Sequence, residues 1–158
     1  MCATSLNAQQ VSIRVGESLM KITPKQTQTE VRPGWRIVDI QLKDRTTRYL
    51  FGRRSNHFTE SARPTFLIEP AEDETLVNYV LIQLTEKKQY RKLPHSSLRD
   101  NNYLRIEPQH FDIKPQGDSG FICTPREELT RGEYILVCLT QQPLNELGDV
   151  LVYPFRVE

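Results

Sequence analysis

Leu129-Thr130-Arg131-Gly132-Glu133-Tyr134-Ile135-Leu136-Val137 is the stretch that decides the fold. A tyrosine at the head of an apolar run, two residues after a glycine, reads as the start of a strand. Its ring is expected in the core, and its hydroxyl is expected to bond backbone just upstream, pinning the chain where it crosses between sheets. After a loop, Asp149-Val150-Leu151-Val152-Tyr153-Pro154-Phe155-Arg156-Val157 reads as the next strand. Pro154 has no N–H to give to a ladder, which suits an edge or a bulge. The last two strands are thus expected at 133–140 and 149–157.

Working upstream, apolar residues recur with period two almost throughout. Trp35 and Ile37 fall on one face of a run in which Val38, Ile40 and Leu42 fall on the other, with Lys43-Asp44-Arg45 as a turn and a second run at 47–51. Further runs lie at 11–15, 19–23, 65–69, 76–84, 103–107, 111–114 and 121–124, separated by Pro, Gly, Asn and Asp. Short strands punctuated every eight to twelve residues or so describe an antiparallel all-β sandwich or barrel. No helix of three turns is expected; 127–129 and 144–147 are candidates for single helical turns before Gly132 and Gly148.

The segment around Tyr134 resembles the stretch leading into the penultimate strand of immunoglobulin-like and fibronectin-III-like domains. The match is to the Leu-Gly-Tyr pattern of their tyrosine corner, here Leu129, Gly132 and Tyr134. The chain is similar to secreted bacterial Ig-like domains, and the resemblance implies an Ig-like sandwich and no particular activity. Trp35 precedes both strand cysteines, so the Cys-Trp-Cys spacing of antibody domains does not carry over; Trp35 is expected only as a core anchor.

The chain has 158 residues, 21 Lys+Arg against 20 Asp+Glu, and a net charge of +1. That length supports one domain with an ordinary core, assigned to 9–158. Near-neutrality argues against a protein that coats nucleic acid or an anionic membrane. No stretch approaches the roughly 18 apolar residues of a membrane span. Residues 1–8 are small and uncharged, and with Gln9-Gln10 they resemble the end of an export signal. The domain is therefore expected outside the cytoplasm, periplasmic, secreted or tethered through a lipid on Cys2.

Cys123 and Cys138 fall on strands expected to be neighbours, in a register that would let them face each other. They are read as two small core residues or as a disulfide. Gly117-Asp118-Ser119-Gly120 resembles the nucleophile segment of chymotrypsin-like proteases. His57 has the wrong context for that family's base, and the tetrapeptide is equally an ordinary turn. His57, His95 and His110 each stand beside turn residues, away from metal-ligand spacing, so no metal and no other cofactor is expected.

The remaining cluster is cationic. Lys43, Arg45, Arg48, Arg53, Arg54 and Arg63 surround Tyr49 and Phe51, and arginine outnumbers lysine 14 to 7. The planar arginine fork binds carboxylates and phosphates in two-point fashion. Arg48, Arg53, Arg54 and Tyr49 are the candidate binding residues, for an anionic ligand or another envelope protein; the plainer reading is a solvated strand face. The expected function is a non-catalytic binding or structural module of a bacterial envelope. The alternatives are a subunit of a surface assembly that uses an open sheet edge, and a small carbohydrate- or lipid-active enzyme.

Overall fold

The computed structural model of the chain describes residues 9–32, 34, 36–37, 40–41, 45–94 and 103–158. Trp35, Cys2, His95 and residues 1–8, with the expectations placed on them, lie outside these. In chain order the strands begin β1 (Gln10–Val15), β2 (Ser18–Lys21), β3 (Lys25–Gln26), β4 (Gln28–Arg32), β5 (Arg36–Ile37), β6 (Ile40–Gln41), β7 (Arg45–Phe51), β8 (Phe58–Thr59) and β9 (Phe66–Glu69). They continue with β10 (Tyr79–Gln83), β11 (Thr85–Glu86), β12 (Tyr90–Lys92), β13 (Tyr103–Arg105), β14 (Phe111–Gln116), β15 (Gly120–Pro125), β16 (Gly132–Cys138) and β17 (Leu151–Val157).

These strands build an antiparallel all-β sandwich with a third sheet laid over it. One sheet runs β14-β15-β9-β1-β2, the central sheet runs β13-β10-β16-β17-β3, and the outer sheet runs β11-β12-β7-β4. The short β8 adds to the end of β17 in parallel, through Arg156↔Phe58 and Val157↔Thr59. Pro154 sits opposite Ile135, between the stretch of β17 that β3 covers and the stretch that β8 covers, where the missing N–H breaks no ladder.

The alternation of side chains across a strand assigns each residue of the central sheet to one of two cores. Tyr79 and Leu81 on β10, Tyr134, Leu136 and Cys138 on β16, and Tyr153, Phe155 and Val157 on β17 face the first sheet. There they meet Val11, Ile13, Phe66, Ile68, Phe111 and Cys123. Phe155 stacks on Tyr134 at 5.5 Å and meets the Phe66 ring edge-on at 5.0 Å. Full burial of one such ring contributes about 1.5–3 kcal/mol. The intervening residues Val80, Ile82, Ile135, Val137 and Val152 face the other way, against Leu50 of the outer sheet. Both faces of β16 are covered, so every residue from Gly132 to Cys138 is buried.

The corner at Tyr134 has the geometry its sequence implies. The hydroxyl donates to the Thr130 carbonyl at 2.7 Å, and Leu129 donates its N–H to Ala62 O at 2.7 Å while packing against the first core. Gly132 has φ +148°, and a Cβ there would meet Gln83 Nε2 at 3.1 Å, so glycine is the residue this crossing accepts.

Three expectations are corrected. Arg45, expected in a turn, is the first residue of β7, while Lys43 and Asp44 lie outside the described residues. Strands β4 and β7 pair from Gln28↔Tyr49 to Arg32↔Arg45, and β5 and β6 pair with each other in the same register, Arg36↔Gln41 and Ile37↔Ile40, so Ile37 and Ile40 are not on one strand. Cys123 and Cys138 are not on paired strands. β15 pairs with β14 and β9, whereas β16 pairs with β10 and β17, because the chain between them crosses from sheet to sheet; both thiols are free and buried in the first core. The single helical turn among the described residues is a 3-10 turn at Leu76–Asn78, and neither 127–129 nor 144–147 is helical.

Candidate functional site

The outer sheet has one face turned to the central sheet and one turned to solvent. Its register, Phe51↔Tyr90, Leu50↔Arg91 and Tyr49↔Lys92, sends Leu50 and Arg91 inward and leaves Tyr49, Phe51, Tyr90 and Lys92 on the outer face. The three rings interlock. Tyr49 meets Phe51 at 5.4 Å with an interplanar angle of 88°, and Tyr90 at 5.3 Å and 64°. Phe51 ends this row and is 68% exposed, the most open large apolar side chain among the described residues.

Two loops meet beside Phe51. The turn between β11 and β12 closes with Lys87 N–H donating to Tyr90 O at 2.9 Å and carries Lys87 and Lys88. The segment after β7 carries Arg53 and Arg54, and Gly52 N–H donates to Gln89 O at 3.0 Å, extending the β7/β12 ladder by one step. All four cationic side chains are exposed, and none has a hydrogen-bond or ion-pair partner among the described residues. The one acid in that turn region, Glu86, is taken by Arg156 at 2.9 Å.

The Arg53-Arg54 segment is held from beneath by a buried ionic group. Arg91 donates from Nη2 to Phe51 O at 2.9 Å and from Nε to Gly52 O at 3.1 Å. From the other side, Glu133 Oε1 accepts the Ser55 N–H at 2.8 Å and the Ser55 hydroxyl at 2.6 Å. Arg91 Nη1 joins the two halves, reaching Ser55 Oγ at 2.7 Å and Glu133 Oε1 at 3.2 Å, and Arg156 Nη1 takes Glu133 Oε2 at 3.0 Å. Burial lowers the Arg91 guanidinium from its usual value, and Glu133 works against that shift; bonds to Glu133 and Glu86 raise Arg156. Glu133 Oε1 and the Arg91 fork thus fix the backbone from 51 to 55, while Oε2 is held by Arg156.

The cationic residues singled out from sequence do not come together in one place. Arg53, Arg54 and Tyr49 belong to this end of the outer sheet. Arg48 does not, because alternation turns it inward. It donates to Leu147 O at 2.6 Å and Gly148 O at 3.0 Å, and a Cβ on Gly148 would come within 2.8 Å of its Nη2. Arg63 lies apart as well, bound to Pro125 O at 2.9 Å and 3.6 Å from Asp112. Tyr90, Lys87, Lys88 and the Arg91–Glu133 pair were missed. The run Glu86-Lys87-Lys88-Gln89-Tyr90 between two short alternating stretches was the available signal for a charged hairpin turn.

Elsewhere, Gly117-Asp118-Ser119-Gly120 is the turn joining β14 to β15, with Gly117 at φ +67° and Ser119 exposed. His57 Nε2 accepts the Thr23 N–H at 3.3 Å, and His110 lies 3.6 Å from Glu107. Among the described residues no three His, Cys, Asp or Glu side chains are grouped to hold a metal ion. A mostly apolar cavity of about 370 Å³ lies between the outer and central sheets, against Ile82, Ile135, Val137 and Val152. No helix among the described residues is long and apolar enough to cross a membrane. Compared with protein-family models, curated proteins and solved structures, the chain matches none.

Proposed function

We propose that this protein is an extracytoplasmic, non-catalytic binding module of a bacterial envelope that holds an anionic partner on the cationic end of its outer sheet. The observation that carries this reading is the contrast within one segment. Backbone on both sides of Arg53 and Arg54 is fixed by a buried Arg–Glu pair, while their guanidinium groups are left open to solvent. Burying such a pair costs several kcal/mol of desolvation per ion, and here the result is a rigid support for two free arginine forks. Support of that kind is what a preformed binding site needs.

The test is retention on an immobilised polyanion, heparin, across a salt series, with the Arg53→Ala/Arg54→Ala double variant alongside. Retention that falls with salt and drops in the variant supports the reading; retention equal in both proteins removes it. The envelope location is tested separately by fractionating the source cells, where recovery with the cytosol removes that part.

A second reading rests on β2, an edge strand whose Leu19 and Met20 are 43% and 45% exposed. An open edge of this kind accepts an added strand from another subunit. Crosslinking of a Met20→Lys variant against the parent protein tests it, since the added charge blocks edge pairing; equal crosslinking in both counts against this reading.

A further inference from the structure

We infer that the partner held at this end is an acidic saccharide, with the Phe51 ring under the C–H face of a pyranose and the anionic substituents reaching Arg53, Arg54, Lys87 and Lys88. This rests on the binding reading above and narrows it to one ligand class.

Single-stranded nucleic acid is held on several aromatic faces, one for each successive base. Here the Tyr49 ring is turned 88° and 64° from its two neighbours and Phe51 is 68% exposed, so the row offers one open ring, Phe51, and not a series of parallel faces. A sugar ring has an apolar C–H face about as wide as a phenyl ring and hydroxyl groups at its rim, so a single open ring suits it.

The support under the ring separates a saccharide from a lipid surface. Membrane-binding segments push apolar wedges into the acyl boundary beside their cations. Phe51 is the last residue of a strand, held edge-to-face by Tyr49, with its carbonyl bound by Arg91 at 2.9 Å. It belongs to a paired strand and does not project from a loop.

The cations complete the match. They flank Phe51 on the two adjoining loops, Arg53 and Arg54 on one and Lys87 and Lys88 on the other, without a partner acid among the described residues. Arginine grips carboxylate or sulfate in two-point fashion, and lysine adds a movable point charge. One apolar face with charge at its margin is the pattern of a uronate or sulfated sugar unit.

The experiment measures binding of polygalacturonate, dextran sulfate, neutral dextran, inorganic polyphosphate, oligo-dT and anionic phosphatidylglycerol vesicles. It uses the parent protein, Phe51→Ala, and Arg53→Ala/Arg54→Ala. Phe51 is mostly exposed, so its removal leaves the fold intact, which an unchanged urea midpoint verifies. The two acidic polysaccharides are expected to bind and neutral dextran not to. Phe51→Ala is expected to weaken the polysaccharides by roughly three- to tenfold, the range one aromatic contact represents, and to leave polyphosphate unaffected. Polygalacturonate against dextran sulfate separates carboxylate from sulfate as the charge recognised. Equal polysaccharide binding by Phe51→Ala overturns the saccharide inference, as does oligo-dT or vesicle binding as strong as the best polysaccharide; the anionic site itself then stands. Failure of every anion to bind overturns both.

Discussion

Arg91 Nη1 lies 3.2 Å from Glu133 Oε1, with 3% of one side chain and 0% of the other open to solvent. The pair spans two layers, Arg91 on the outer sheet and Glu133 on the central one. Removing one member of such a pair leaves the other buried and uncompensated, at about 3–5 kcal/mol. Glu133→Ala is therefore expected to lower the urea midpoint by a corresponding amount. It also frees Ser55, so trypsin should cut after Arg53 or Arg54 faster than the parent protein allows, under conditions where the rest stays folded. An unchanged midpoint together with unchanged cleavage would show that the network does not hold the segment.

Asp149 gives a dependence on acid. Burial alone would raise its carboxyl, but the Thr29, Asn145 and Thr27 side chains bond it at 2.6, 2.9 and 3.0 Å, and with Arg48 nearby they hold it below the usual carboxylate value. A folded-state value below the unfolded one means the stabilisation is complete above about pH 4 and is lost as pH falls through the folded value. Asp149→Asn is expected to cost about 1 kcal/mol or more at pH 7. Its deficit should shrink as pH drops below about 4. Thermal melts of both proteins from pH 7 to pH 2 measure this; a deficit that stays constant over that range would contradict it.

The two strand thiols should be silent. Burial pushes Cys123 up to about 12, and burial raises Cys138 as well, against the opposing effect of its bond to Thr140 Oγ1 at 3.3 Å. The reactive form of a cysteine is the thiolate. In a Cys2→Ser background, a thiol reagent at neutral pH is expected to label neither residue in the folded protein and both in denaturant. Labelling of either thiol at the rate of a free cysteine would show that this core opens readily.

The corner at Tyr134 was legible because its signal is local. A glycine, a tyrosine and the backbone four residues upstream lie within one short stretch, and the bond to Thr130 follows from them. The all-β class was legible for the same reason, since period two is a property of neighbours in sequence. The stacking of a third sheet was not. It shows in β16 as an apolar run with Glu133 inside it, which reads equally well as a strand with one face in a core; only pairing with distant segments reveals the second covered face. The site suffered from the opposite error. Arg48, Arg53, Arg54 and Arg63 are close in sequence and were grouped on that ground. Alternation turns Arg48 inward, a change of direction carries Arg63 to another sheet, and a hairpin some 35 residues on supplies Lys87 and Lys88 in their place.

Pairing across long stretches of chain also governs how this molecule forms. Thr27 and Asp149, 122 positions apart, bond at 3.0 Å where β3 joins β17, and β17 fills the gap between β3 and β16. The middle layer is therefore incomplete until nearly the whole chain is available. The pairing of β4 with β7, from Gln28↔Tyr49 to Arg32↔Arg45, joins segments much closer in sequence. Closing a long loop must precede the contacts that reward it, and folds dominated by such pairings take milliseconds to seconds. The outer hairpin can form early, but the apolar layer its inward face rests on, Val80 and Ile82 of β10, Ile135 and Val137 of β16 and Val152 of β17, is drawn from strands far along the chain and is complete only when the last of them docks.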